Sequence, residues 1–214
     1  MKAIAINGSP RRGRNTEKLL TEALSGAESL GAETSLIQLY DLNYTGCKSC
    51  FGCKRKGKEQ YHCILRDDLA PVLNDILDAD VLFLGSPIYF GDITGQMVSF
   101  IERLFFPLLS YDDYSKRLFD GKVNSAFFYT MNAPEEFYKS KMEQALQNRS
   151  GILQRLGGMV EVYAACDTYQ FDDYAKYHAA TFDEAHKRKV RNEQFPKDLK
   201  AAYEIGCKLT KDKS

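Results

Sequence analysis

The chain has no excess of either charge. Lysine plus arginine and aspartate plus glutamate each number 29 in 214 residues, so the formal net charge is zero. That balance gives no electrostatic reason to expect nucleic acid or an anionic membrane as partner. Long apolar runs are missing too. Nothing approaches the roughly 20 residues that a membrane helix needs. The opening segment Met1-Lys2-Ala3-Ile4-Ala5-Ile6-Asn7 is apolar too briefly for a secretory signal and runs straight into a polar glycine loop. A cytoplasmic protein is therefore expected, one whose thiols stay reduced. Internal repeats and low-complexity tracts are absent. Histidines are few and scattered, at His62, His178 and His186. No Ser-His-Asp arrangement or carboxylate pair stands out, so no side chain is expected to serve as nucleophile or general base.

What is present is a regular alternation. Short apolar runs at 3–6, 34–39, 81–85, 124–130 and 160–164 read as strands. Helical periodicity covers 17–30, 69–77, 96–106, 135–155, 178–192 and 197–209, with the last two broken by Pro196. Strands alternating with helices predict an open, doubly wound α/β sheet of five parallel strands in the flavodoxin-like order 2-1-3-4-5. A single domain over residues 1–214 is expected, with a cysteine-rich insertion at about 44–66 after strand 2 and a C-terminal helical tail at about 178–212. The charge-rich stretch 183–200 reads as a solvated helical face.

Strand 1 ends in Asn7-Gly8-Ser9-Pro10-Arg11-Arg12-Gly13-Arg14-Asn15-Thr16. Such a loop lies at the carboxyl edge of the sheet, where open sheets bind ligands. Ser9, Asn15 and Thr16 offer polar donors, Arg11, Arg12 and Arg14 offer charge, and the following helix offers its N-terminus. A phosphate dianion suits that set. Gly8 and Gly13 have Walker spacing, but Arg14 and Asn15 stand where Lys and Ser/Thr are required, and G-x-G-x-x-G is absent. A second loop, Gly85-Ser86-Pro87-Ile88-Tyr89-Phe90-Gly91-Asp92-Ile93-Thr94-Gly95, occupies the same edge. Its aromatics and glycines suit a flat ring, or equally a covered core or oligomer contact. Thr130, Met131 and Asn132 form a third candidate loop.

Four of the six cysteines crowd between Gly46 and Asp67, at Cys47, Cys50, Cys53 and Cys63, spaced C-x2-C-x2-C-x9-C. Overlapping x2 gaps favour an iron–sulfur cluster over zinc, which more often uses two separated pairs. Free or redox-active thiols remain the alternative. The extra length before Cys63 can bulge through Gly57-Lys58-Glu59-Gln60. Lys48, Lys54, Arg55, Lys56 and Lys58 would offset thiolate charge and attract an acidic carrier. His62 is a spare ligand at most. Cys166 and Cys207 read as small core residues. Asp67-Asp68 reads as a helix cap with first-turn charge.

The set Gly8-Ser9-Pro10-Arg11 with Asn15-Thr16, Gly85-Ser86-Pro87-Ile88-Tyr89-Phe90, and Asp67-Asp68-Leu69 resembles the NADPH-dependent FMN reductase branch of the flavodoxin-like superfamily. The cysteine loop resembles that of the iron–sulfur flavoproteins, as does Asp167-Thr168-Tyr169-Gln170-Phe171-Asp172-Asp173-Tyr174. The resemblance implies FMN, with its phosphate at Ser9, Arg11, Asn15 and Thr16; the charge of Arg14 adds it to that cofactor site. It implies a ring site at Pro87, Ile88, Tyr89, Phe90 and Gly91, closed by Thr130, Met131 and Asn132. It further implies a [4Fe–4S] cluster on Cys47, Cys50, Cys53 and Cys63 that relays electrons to or from FMN, and a homodimer or homotetramer. NAD(P)H or a ferredoxin-like carrier would be the donor. Two alternatives stay open: a cluster-free NAD(P)H-dependent FMN or quinone reductase, and a non-enzymatic flavodoxin-like redox sensor.

Overall fold

The computed structural model of the protein describes residues 1–57 and 61–212. The proposed bulge at Lys58, Glu59 and Gln60 lies outside them. Five parallel strands form the sheet: β1 Lys2–Asn7, β2 Glu33–Gln38, β3 Val81–Tyr89, β4 Val123–Thr130 and β5 Gly157–Ala165. Their spatial order is β2-β1-β3-β4-β5 in this numbering, as expected, and a two-residue strand Asp92–Ile93 folds back on the end of β3. All eight residues of β4 are buried, as are the first six of β3. A strand covered on both faces must read as a continuous apolar run, and Val81 to Leu84 does so.

Alternation along each strand sorts side chains into two layers. Ile4, Ile6, Leu82 and Leu84 pack with α2 (Leu69–Leu77) and α3 (Gly95–Leu108). Ala3, Ala5, Val81 and Phe83 face the opposite layer, with α1 (Asn15–Glu28) and α7 (Phe195–Lys211). The two helices of that layer touch backbone to backbone. A Cβ on Gly206 would come 2.0 Å from the Ala23 carbonyl oxygen, and one on Gly26 would come 2.2 Å from that of Tyr203. Gly206→Ala is therefore expected to wedge them apart and cost about 1–3 kcal/mol, read as a lowered thermal midpoint.

Three helical expectations need revision. The helix expected over 135–155 is three pieces: α4 (Glu135–Lys141), α5 (Glu143–Ser150) and a 3-10 segment Gly151–Leu156. Met142, at φ −124°, breaks the first junction. The buried Tyr129 hydroxyl fixes α5 by bonding the Leu146 carbonyl at 3.0 Å and Ser150 Oγ at 2.6 Å. The tail helix α6 spans Glu184–Glu193 and starts at Asp183, whose carboxylate accepts from the N–H groups of Ala185 and His186. Pro196 opens α7 rather than breaking it, in the first turn where its missing N–H is harmless. No helix among the described residues is long and apolar enough to cross a membrane.

Candidate functional site

The three loops meet at the carboxyl edge of the sheet. One cleft is lined by Ser9, Arg11, Arg14, Asn15 and Thr16 from the first, Pro87, Ile88 and Tyr89 from the second, and Thr130, Met131 and Asn132 from the third. Phe90 and Gly91 stand outside its lining. Phe90 is fully exposed at φ +54°, a left-handed conformation uncommon for a bulky side chain. The cleft measures about 110 Å³. That suits a compact anionic group and falls short of the roughly 300 Å³ needed to enclose a drug-sized ligand; a ring would lie at the rim beside Tyr89 and Phe90.

The first loop is held rigidly. Asn7 Oδ1 accepts from the Ser9 N–H at 2.9 Å, and Ser9 Oγ accepts from the Arg11 N–H at 3.2 Å, which leaves the Ser9 hydroxyl proton free to donate. Thr16 and Thr130 share a buried hydroxyl bond at 2.7 Å, tying α1 to the end of β4. A Cβ at Gly8 would meet Met97 at 3.0 Å, so the loop lies flat on α3. Thr94 caps α3, accepting from the Met97 N–H at 3.3 Å and donating to the Gly8 carbonyl at 2.8 Å.

The arginines are not equivalent. Arg12 pairs with Asp41 and is absent from the cleft lining. Arg14 pairs with both carboxylate oxygens of Asp172, Arg11 donates to the Gln170 carbonyl at 2.6 Å, and Asn15 donates to the Tyr169 carbonyl at 2.9 Å. Residues expected to meet a phosphate thus also bind segment 169–172 across the loop, and Thr168 and Gln170 join the lining. Arg191 of α6 reaches Asn15 Oδ1 at 3.3 Å. Burial, then the like charge of Arg14, pushes Arg191 down; burial, then Arg191 and Arg14, pushes Lys18 down. Arg14, by contrast, is pushed up by its bond to Asp172; the cluster of positive charge beside the start of α1 suits an anion.

Sequence reasoning missed Lys187. It is 4% exposed, its ammonium donates to the Asn132 carbonyl at 2.7 Å, and it pairs with Asp167. Asp167, at φ +55°, also meets His186. Burial works against the Asp167 charge, but Lys187 and His186 outweigh it and hold the carboxyl below its ordinary range. With its backbone fixed, Asn132 presents a buried Oδ1 that has no hydrogen-bond partner. An orphaned acceptor lining a polar cleft is a place for an N–H or O–H of a ligand.

The cysteine loop packs along α3. Cys47, Cys50, Cys53 and Cys63 line one small pocket with Glu102, Arg103 and Phe106. None of the six cysteines is disulfide-bonded. Among the described residues, no three His, Cys, Asp or Glu side chains are grouped closely enough to hold a metal ion as they stand. The donor set is nevertheless that of a four-thiolate cluster. Left-handed residues at Ser49, Phe51 and Tyr61 wind the loop. A Cβ at Gly52 would come 2.0 Å from the Ile64 side chain, so the two residues pack closely. Burial pushes the Cys53 thiol up.

Three residues link loop and helix. Glu102 Oε2 accepts from the Cys47 N–H at 3.0 Å. Arg103, with a fully buried side chain, donates from Nε to Cys63 Sγ at 3.0 Å and pairs with both oxygens of Asp67 at 2.7 and 3.0 Å. Asp67 also accepts from the Leu69 N–H at 3.2 Å, but its main partner is Arg103; Asp68 makes no side-chain cap and instead accepts from the Asn43 N–H. Lys54, whose charge acts to favour the Cys53 thiolate, also donates from its ammonium to the Phe106 and Pro107 carbonyls at 2.7 and 3.0 Å and to that of Leu109, closing the C-terminus of α3. Lys48, Arg55 and Lys56 stay exposed, and Lys58 lies outside the described residues. His62 bonds Asn74 at 2.9 Å and is absent from the cysteine pocket's lining. Cys166 and Cys207 are half-buried rather than core, the Cys166 thiol pushed up to about 12 by burial.

A parallel sheet in this order, with a polar cleft at its switch point, defines a flavodoxin-like protein. The sequence profile of the NADPH-dependent FMN reductase family matches residues 1–154, and the chain belongs to that family. It is 40% identical over 103 residues to an iron–sulfur flavoprotein of Methanocaldococcus jannaschii, covering 48% of this chain and 51% of the relative. An iron–sulfur flavoprotein of Methanosarcina thermophila is 31% identical over 103 residues, covering 48% and 52%. The matches thus span about half the length of these curated relatives. Among solved structures, an NAD(P)H:quinone oxidoreductase from Methanothermobacter marburgensis superposes with a TM-score of 0.68 at 15% identity, over 98% of this chain and 96% of that one. An azoreductase from Bacillus anthracis superposes at 0.66 with 16% identity, over 97% and 99%. At those identities the likeness is one of fold.

Proposed function

We propose that this chain is an FMN-dependent oxidoreductase that exchanges electrons between flavin and a [4Fe–4S] cluster held by Cys47, Cys50, Cys53 and Cys63. The observation that carries the flavin reading is the cleft itself, which gathers the separate loops around Ser9, Thr16, Pro87 and Asn132 at one sheet edge. Ser9 Oγ, Asn15, Thr16 and the start of α1 would hold the phosphate, with Arg11, Arg14 and Arg191 supplying positive potential. Pro87, Ile88 and Tyr89 would flank the ring, and Asn132 Oδ1 would accept one of its N–H groups. Burial pushes the Tyr89 phenol up, so it remains a neutral hydroxyl. Bound FMN supplies both one-electron and two-electron chemistry, and a bound cluster supplies single electrons. NAD(P)H or a ferredoxin-like carrier is the proposed donor. The proposed protein is a cytoplasmic homodimer or homotetramer of one domain.

The spread of the thiols, with no group of three in ligating arrangement among the described residues, favours a second reading: a cluster-free NAD(P)H-dependent FMN or quinone reductase. Anaerobic purification with absorbance, FMN, iron and sulfide assays separates the two. FMN with iron and sulfide supports the first, FMN alone sinks the cluster, and absence of flavin sinks both. Ser9→Ala deletes a buried donor to the phosphate and is expected to weaken FMN binding on the order of 10-fold, measured by quenching of flavin fluorescence.

A further inference from the structure

We infer that Arg103 is the residue that closes the cysteine loop and tunes the redox potential at Cys63. The inference rests on the cluster reading above. Arg103 sits on the buried face of α3, beside the buried Phe100 and Leu104, with its side chain entirely shielded from water. A guanidinium in that setting must place its donors. Its bonds gather both ends of the cysteine segment: the Thr45 carbonyl at 2.9 Å on one side, and Cys63 Sγ, the Leu65 carbonyl at 3.5 Å and the Asp67 carboxylate on the other.

This arrangement explains how a fourth cysteine can follow the third after nine residues. Cys63 is located from α3, across 40 positions of sequence, and not by the stretch that precedes it. The chain between Cys53 and Cys63 can vary in length while Sγ stays where Arg103 holds it. Glu102, the neighbouring residue on the helix, holds the backbone of Cys47 in the same way. Two consecutive side chains of α3 therefore anchor the first and last of the four cysteines, one by its backbone and one by its sulfur.

The bond from Nε to Sγ has an electronic consequence. A hydrogen bond to a ligating sulfur stabilises the more negative, reduced state and raises the reduction potential. Asp67 acts in the opposite sense, since its carboxylate neutralises part of the guanidinium charge. Arg103 is thus a positioning and tuning residue, outside the ligand set.

The test compares two variants of the anaerobically purified holoprotein. Arg103→Lys keeps a cation facing Asp67 but removes the fixed N–H at Sγ. Its midpoint potential, followed by spectroelectrochemistry and the electron paramagnetic resonance of the reduced cluster, is expected to shift to more negative values. Iron loss to a chelator should rise on the order of 10-fold. Asp67→Asn removes the opposing charge and is expected to shift the potential the other way. Flavin content and circular dichroism report folding for both. Shifts of opposite sign support the inference. A retained cluster with unchanged potential in Arg103→Lys, or shifts of the same sign, overturns it and leaves the cluster reading intact. Loss of the cluster from both variants with flavin retained shows a scaffold role only and overturns the tuning. Wild-type protein with flavin but no iron or sulfide overturns both readings together.

Discussion

Lys187→Met is expected to lower stability by about 3–5 kcal/mol, the cost of stranding one member of a buried ion pair. The methionine fills the space of the lysine stem but offers nothing to the Asn132 carbonyl or to Asp167. Asp167 would keep only His186, a half-exposed partner. The effect should carry a pH signature. The Asp167 carboxyl is held below its ordinary range in the folded protein, so its stabilising contribution is present above the unfolded value of about 4 and is lost as the pH falls through the lowered folded value. Without Lys187 that contribution shrinks. The difference in denaturation midpoint between wild type and variant should therefore be full at neutral pH and narrow in acid. A gap independent of pH would show that packing, not the ion pair, is the cause. Because Lys187 also sets the backbone that presents Asn132, FMN affinity should fall with stability, by about 10-fold for one lost buried hydrogen bond. Flavin release followed by fluorescence separates that loss from unfolding.

The second large effect is expected from Cys63→Ser. Serine is a poor substitute for a thiolate ligand, so after reconstitution with iron and sulfide the variant should hold at least about 10-fold less iron than wild type. FMN should bind as before, since Cys63 lies on the α3 side of the cysteine loop and the flavin cleft is lined by other residues. Normal iron in the variant would exclude Cys63 from the ligand set. Loss of both cofactors would show that the two pockets are not separable.

Sequence patterning made the sheet legible because its strands are buried on both faces. Val81 to Leu84 and the β4 run need no partner to be recognised as interior. The cleft was legible for a similar reason: polar and glycine-rich stretches directly after apolar runs have one place to go in such a sheet. The tail was misread because its meaning depends on distant partners. Lys187 looks like any lysine in a charged helix, and its acid lies 20 residues away on another loop. Arg191 meets Asn15 across 176 positions, a pairing no local periodicity encodes. Arg103 did leave a signal. A lone arginine among Ile101, Leu104 and Phe105 occupies a face that should be apolar, and Asp67-Asp68 nearby in space offered the counter-charge. The break at Met142 left none, because the tyrosine that fixes α5 comes from β4.

One helix connects the two sites. α3 is capped by Thr94, which grips the loop after β1 at Gly8, and carries Glu102 and Arg103, which grip the cysteine loop. Nine residues from Thr94 to Arg103, at about 1.5 Å each, put the two grips roughly 13 Å apart along a single rigid rod. The helix works as a ruler: the gap between the polar cleft and the thiol pocket is set by a residue count along one continuous helix. Insertions in the surface loop before Cys63 leave the ruler untouched. Adding or removing one residue within 96–101 would turn Glu102 and Arg103 by about 100° around the axis and point them away from the loop they hold.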